Sequence, residues 1–264
     1  MRILFPLLFL PALLLADDQK PADKPADGPV KGKTAAEIDI PDPGSAIEDP
    51  AVARQEIARF EKEMQAAGGA AKEAELIRTL GGWDHPDVVK AVGKYVKDKE
   101  RTVAVAAVVA LARQAKSKDA AGSKLLGLLK TEKRTDIVCA AIVGMGRLGY
   151  DHKNAIKEVL ALFQKDTKET HKAATRYLGY IKYKPAFRML AEKLREPQAI
   201  AENQNNPGAN PPASYWKERW EEWSSNVPYT RWALAQLVPG ETFEVTDEAK
   251  QWAEAHGKEH GIEW

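Results

Sequence analysis

Cysteine is all but missing from this 264-residue chain. Cys139 stands alone, so neither an intrachain disulfide nor a lipid-modified cysteine behind a leader can form. Long apolar runs are missing too. The stretch from Ile3 to Leu15 is interrupted by Pro6 and Pro11, and a membrane-spanning helix needs about 20 apolar residues. No glycine-rich phosphate loop appears, and no serine or cysteine sits in a recognisable nucleophile elbow. Net charge is nearly absent, at +1 overall. These gaps argue against a membrane span in the mature chain, a cofactor and a linear catalytic motif.

Histidine, present five times, offers one pattern. His256-x-x-Glu259-His260 has the spacing that sets two imidazoles on a helix face around zinc, with the carboxylate as general base, in one class of metalloprotease. Gly257 and Gly261 weaken the helix this needs, and only four residues follow to supply a third ligand. The motif is read as polar tail, with no metal site. His85, His152 and His171 fall in or near expected turns as solvated or capping residues, and Cys139 reads as a small apolar packing residue.

What is present starts with a leader-like segment. Residues 1–16, MRILFPLLFLPALLLA, combine Arg2, an apolar stretch and the small Ala16, which predicts an exported protein, periplasmic or extracellular, maturing near Asp17. Residues 17–50 alternate Pro, Asp and Lys with almost nothing to bury and are read as a disordered spacer. Residues 51–196 form an expected repeat array, and 197–264 a loop followed by a closing unit.

Three stretches of the array keep one small-apolar pattern: EAELIRTLGG at 73–82, AVAAVVALAR at 104–113 and VCAAIVGMGR at 138–147, with HKAATRYLGY at 171–180 as a weaker fourth. Leu80, Leu111, Met145 and Leu178 hold the same place, at steps of 31, 34 and 33 residues. A period of that size predicts stacked helical hairpins, because one hairpin cannot bury its own apolar face. The second helices are expected at 84–98, 117–131, 151–166 and 183–196, with Asp84, Ser117 or Asp119, and Asp151 as N-caps. A helix at 57–68 covers the open end. After the Pro/Asn loop at 197–212, one helix is expected over ASYWKERWEEWSSN and another, in register with the first helices, over NVPYTRWALAQLVPG. A last helix at 245–256 takes Thr246 or Asp247 as cap.

The core V/A-x-x-A-A-x-x-A-L-A/G, visible at 103–112 and at 137–146, resembles HEAT repeats of the short bacterial type, the kind also found in phycobilin lyases. The resemblance covers residues 70–196. It implies an all-α fold, an α-solenoid of about five HEAT-like helical hairpins with a Trp-rich C-terminal capping unit. It also implies a binding scaffold, since only some members of that family assist enzymatic chemistry.

Charge is segregated along the chain. Residues 17–50 hold 4 basic against 9 acidic side chains, residues 51–195 hold 29 against 17, and residues 196–264 hold 5 against 12. Lys97, Lys99 and Arg101 fall in the turn after the first full unit, Lys130, Lys133 and Arg134 in the next, and Lys165, Lys168 and Lys172 at the third. Equivalent turns of a stack line one edge, so these nine residues are a candidate positive ridge; solvated lysine-rich turns are the plainer account. The expected partner is a protein or an anionic extracytoplasmic polymer, and export disfavours nucleic acid.

Six of the seven tryptophans lie in the last 49 residues. Trp216, Trp220 and Trp223, at i, i+4 and i+7, share one helix face. Exposed, that face would stack sugars or anchor a protein; buried, it would seal the last unit, which is the preferred reading. The resulting expectation is a non-catalytic exported scaffold that docks another macromolecule. The alternatives are a lyase-like or hydrolytic enzyme using the array as a cradle, and carbohydrate binding through the Trp helix.

Overall fold

The computed structural model describes residues 40–165, 168–197 and 211–264, and all that follows concerns these. The expected leader, most of the spacer and most of the Pro/Asn loop lie outside the described residues. Within them the fold is all-α but for one two-residue bridge. The helices are α1 (Pro50–Gln65), α2 (Ala70–Leu80), α3 (Pro86–Val92), α4 (Arg101–Leu111), α5 (Lys118–Thr131), α6 (Thr135–Arg147), α7 (Lys153–Gln164), α8 (Lys168–Tyr180), α9 (Phe187–Glu192), α10 (Ala213–Leu237) and α11 (Thr246–His260). A 3-10 turn at Lys184–Ala186 leads into α9.

α4, RTVAVAAVVAL, is apolar around most of its circumference, which marks a helix covered on several sides. Eight of its eleven residues are buried. α2 covers one flank and α6 the other; α6 packs in turn on α8, and α8 on α10. The second helices are plainer: α7 buries only Ala155, Val159 and Phe163, one stripe at i, i+4 and i+8, against α8.

Small residues let the first helices approach closely. A Cβ built on Gly81 would stand 2.3 Å from the Ala110 Cβ, and one on Gly144 2.9 Å from the Ala112 Cβ. One on Gly146 would stand 3.0 Å from the Tyr177 Cα, and one on Gly179 3.0 Å from the Ala233 Cα. Counted from Leu80, Leu111, Met145 and Leu178, each contact joins the residue after that position in one unit to the residue before it in the next. The series runs on to Ala233, so Leu234, fully buried, takes the fifth place.

Several expectations are corrected. The spacer does not reach Pro50: Ile40 is 5 % exposed, and β1 (Ser45–Ala46) pairs in parallel with β2 (Trp83–Asp84). Main-chain hydrogen bonds and one buried side chain hold a segment whose composition reads as free. His85 and His152, not the preceding aspartates, cap α3 and α7, their Nδ1 atoms accepting from the amides of Asp87 (3.1 Å) and Asn154 (3.3 Å). Asp84 is instead buried, its Oδ2 accepting from the Lys116 amide at 2.6 Å. The two helices expected over 213–240 are one, running through Pro228 and ending at Leu237. Proline there removes a bond to the carbonyl of Ser224, and both residues are exposed, so water can take that acceptor. α11 has Val245 at its N-cap position, while Thr246 donates its hydroxyl to the Ala191 carbonyl at 2.9 Å and so ties α11 to α9. α11 also persists through Gly257 to His260, closing with Gly261 at φ 65° and a 2.8 Å bond from the Ile262 amide to the Gly257 carbonyl.

Candidate functional site

Each first helix has a connection at either end, and an 11-residue helix separates the two by about 16 Å. The lysine-rich connections precede α4, α6 and α8. Those following α2 and α4 carry Gly82 and Arg113, and Arg147 is the last residue of α6 at the same end.

At the lysine-rich end the structure divides the nine candidate residues. Lys97, Lys99, Lys133, Lys165 and Lys168 are exposed. The other four are drawn into internal contacts. Arg101 pairs with Asp136 of the next unit, and Lys130 with Glu158, 3.3 Å away on α7. Lys172 is 7 % exposed, its ammonium 5.8 Å from the centre of the Tyr229 ring. Arg134 donates to the carbonyl of Asp98 at 2.8 Å, which sets the 131–135 connection directly beside the 97–100 connection.

Arg134 is itself held by Glu132. The carboxylate accepts from the guanidinium (2.9 Å) and from the amides of Lys133 and Arg134 (2.8 and 2.9 Å). The Arg134 guanidinium, with help from those amides, lowers the Glu132 carboxyl from an ordinary 4.5 to about 2. A lowered carboxyl pKa stabilises the fold fully above pH 4.5, and that contribution is lost as pH falls toward 2. Glu132→Gln is expected to cost about 1–2 kcal/mol at pH 7, less than full linkage because the guanidinium is partly solvated. Urea denaturation of both proteins at neutral and acid pH checks this: the gap should close steadily below pH 4.5, and a pH-independent gap would refute the clamp.

At the opposite end, Arg113 donates from Nε to the Asp42 carbonyl at 2.8 Å, and Arg147 from Nη2 to the Ile40 carbonyl at 3.1 Å. Sequence reasoning passed over both arginines. Each ends its repeat motif two places after Leu111 or Met145, and that coincidence was the available signal.

The tryptophan face is largely spent on packing. Trp216, Trp220 and Trp223 are all half-buried. Trp223 donates to the Leu194 carbonyl at 3.3 Å and meets Trp220 edge to face at 5.1 Å, so the pair offers no flat shared platform. The buried indole nitrogens of Trp216 and Trp220 have no hydrogen-bond partner. Trp232 seats its ring 4.8 Å from Tyr180, and Trp252 completes a triangle of rings with Phe187 and Phe243, centroids 5.7–5.8 Å apart.

His256 and His260 flank Trp252, with ring centroids 5.9 and 5.2 Å from it. Among the described residues no group of three or more His, Cys, Asp or Glu side chains is placed to hold a metal ion. His171 is not a turn residue. It is 2 % exposed on α8, with its ring 4.1 Å from Phe163. A recess of about 140 Å³ beside it is lined by Glu192, Lys193, Arg195, Glu222 and Trp223. Arg219 lines it as well, so three cations face two carboxylates, and its volume falls below the roughly 300 Å³ that small-molecule sites usually exceed. Cys139 is fully buried on α6, and burial pushes its thiol up to about 12, which suits packing rather than nucleophilic chemistry. No protein-family model and no curated protein matches the chain.

Proposed function

We propose that the chain is a non-catalytic scaffold: an α-solenoid of five HEAT-like helical hairpins that docks an anionic macromolecule along its lysine-rich end. The observation that carries the solenoid is the recurring contact between the residue after each register position and the residue before the next, from Gly81 on Ala110 to Gly179 on Ala233. Docking is supported by Lys97, Lys99, Lys133, Lys165 and Lys168, exposed at connections of which two are tied side by side by Arg134. The internal pairs of Arg101, Lys130 and Arg134 serve the scaffold itself, so the docking charge is smaller than nine residues suggest. We place the partner, an acidic protein or an anionic polymer, outside the cytoplasm on the strength of the leader-like residues 1–16.

Fluorescent polyglutamate is a suitable first probe. Its affinity is expected to fall about tenfold when salt rises from roughly 50 to 300 mM, and by a similar factor at low salt in the Lys97→Glu, Lys99→Glu, Lys133→Glu variant. These side chains are exposed, so the variant should keep its fold, which its helical circular dichroism checks. Affinity indifferent to both salt and charge reversal would overturn the docking edge.

A further inference from the structure

We infer that the end opposite the lysines is a groove that reads the main chain of an extended, acidic peptide, with residues 40–48 seated in it as a displaceable resident. Arg113 and Arg147 occupy equivalent places in consecutive units and donate to the carbonyls of Asp42 and Ile40, two residues apart. Two extended residues span about 7 Å, close to the 8–10 Å between packed helices, so one strand can meet successive arginines at a two-residue step. Further along, the amides of Gly44, Ser45 and Ile47 donate to the carbonyls of Arg113 (2.9 Å), Gly82 (2.8 Å) and Asp84 (3.2 Å). All five contacts use the main chain of the segment, as in strand addition to an exposed edge.

The side chains of the segment hold little. Ile40 is buried and Gly44 and Ile47 are half-buried, while Pro41, Asp42, Pro43, Ser45, Ala46 and Glu48 are exposed. Pro41 and Pro43 favour an extended chain before it binds, which lowers the ordering cost. The groove contributes Arg113, Arg147 and Lys116, and the segment contributes Asp42 and Glu48, with Lys116 and Glu48 at 3.7 Å. One position is sterically selective: a Cβ on Gly44 would stand 3.0 Å from the Gly82 carbonyl oxygen. The recognised peptide is therefore acidic and proline-bearing, with glycine opposite Gly82.

The test uses a labelled peptide, IPDPGSAIED, titrated into the full chain and into its Ile40→Asp variant. A tethered segment competes at an effective concentration on the order of millimolar, so the unaltered chain should bind the peptide at least about tenfold more weakly than the variant. Adding Arg113→Ala and Arg147→Ala to the variant should abolish that gain, and a peptide with leucine in place of its glycine should bind at least about fivefold more weakly. Hydrogen exchange on the unaltered chain gives a second readout: the Gly44, Ser45 and Ile47 amides should exchange at least about a hundredfold faster than those inside α4 and α6. Equal protection of these amides overturns the inference, as does absence of peptide binding to a helical Ile40→Asp variant. Concentration-dependent dimers of the unaltered chain that Arg113→Ala abolishes would assign the groove to a second copy and overturn the peptide partner.

Discussion

Gly81→Val is expected to lower the stability of the protein by about 3 kcal/mol, at the upper end of what overpacking costs. Gly81 has φ −64°, a conformation open to any residue, so the cost is steric rather than conformational. The new Cβ would stand 2.3 Å from the Cβ of Ala110 and 2.8 Å from its Cα. Neither atom can rotate away, and relief requires α2 to move off α4. That movement opens the core around Ile77, Leu80 and Leu111, all nearly inaccessible in the parent. Ala110→Gly removes the first of the clashing atoms, so adding it should recover a substantial part of the loss even though it costs about 1 kcal/mol alone in a helix. Urea denaturation of the two single variants and the double variant measures the coupling. Additive losses would show that the two residues do not meet.

The same contact explains how much of the fold was legible. Small residues on either side of Leu80, Leu111, Met145 and Leu178 repeat because each helix must come close to the next, so a packing rule was written directly into composition. Leu234 belongs to that series but stands 56 residues after Leu178, beyond an inserted loop and a helix start; the sequence sets its helix in register with the others, and the contact between Gly179 and Ala233 fixes which residue takes the place. Charge was legible as position, not as partnership. Nothing in the order of residues tells Lys133, which is exposed, from Arg134, which bridges to Asp98, or Lys168 from the buried Lys172. Residues 40–48 failed for the opposite reason. Their Pro, Asp and Gly content predicts a free chain, yet what holds them is mainly main-chain hydrogen bonding to a groove made by other units, and composition carries no record of that.

Met145→Ala is expected to cost about 3–4 kcal/mol, and where that loss falls tests the solenoid. Met145 is fully buried on α6, which is packed against α4, α5 and α8, so the side chain leaves a cavity with structure on both sides. In a series of nearest-neighbour interfaces, a defect at the centre weakens the interfaces beside it most and uncouples the ends. The amides of α6 should lose protection first, those of α4 and α8 next, and those of α1 and α11 least relative to the parent. Urea unfolding should broaden, with a lower m value or two resolved steps, because the halves on either side of α6 cease to unfold together. A single undivided core responds differently: every protected amide would fall by the same amount and the transition would keep its slope at a lower midpoint. Uniform loss with unchanged cooperativity would therefore defeat the nearest-neighbour stack, and with it the reason for treating the two ends of the first helices as independent docking edges.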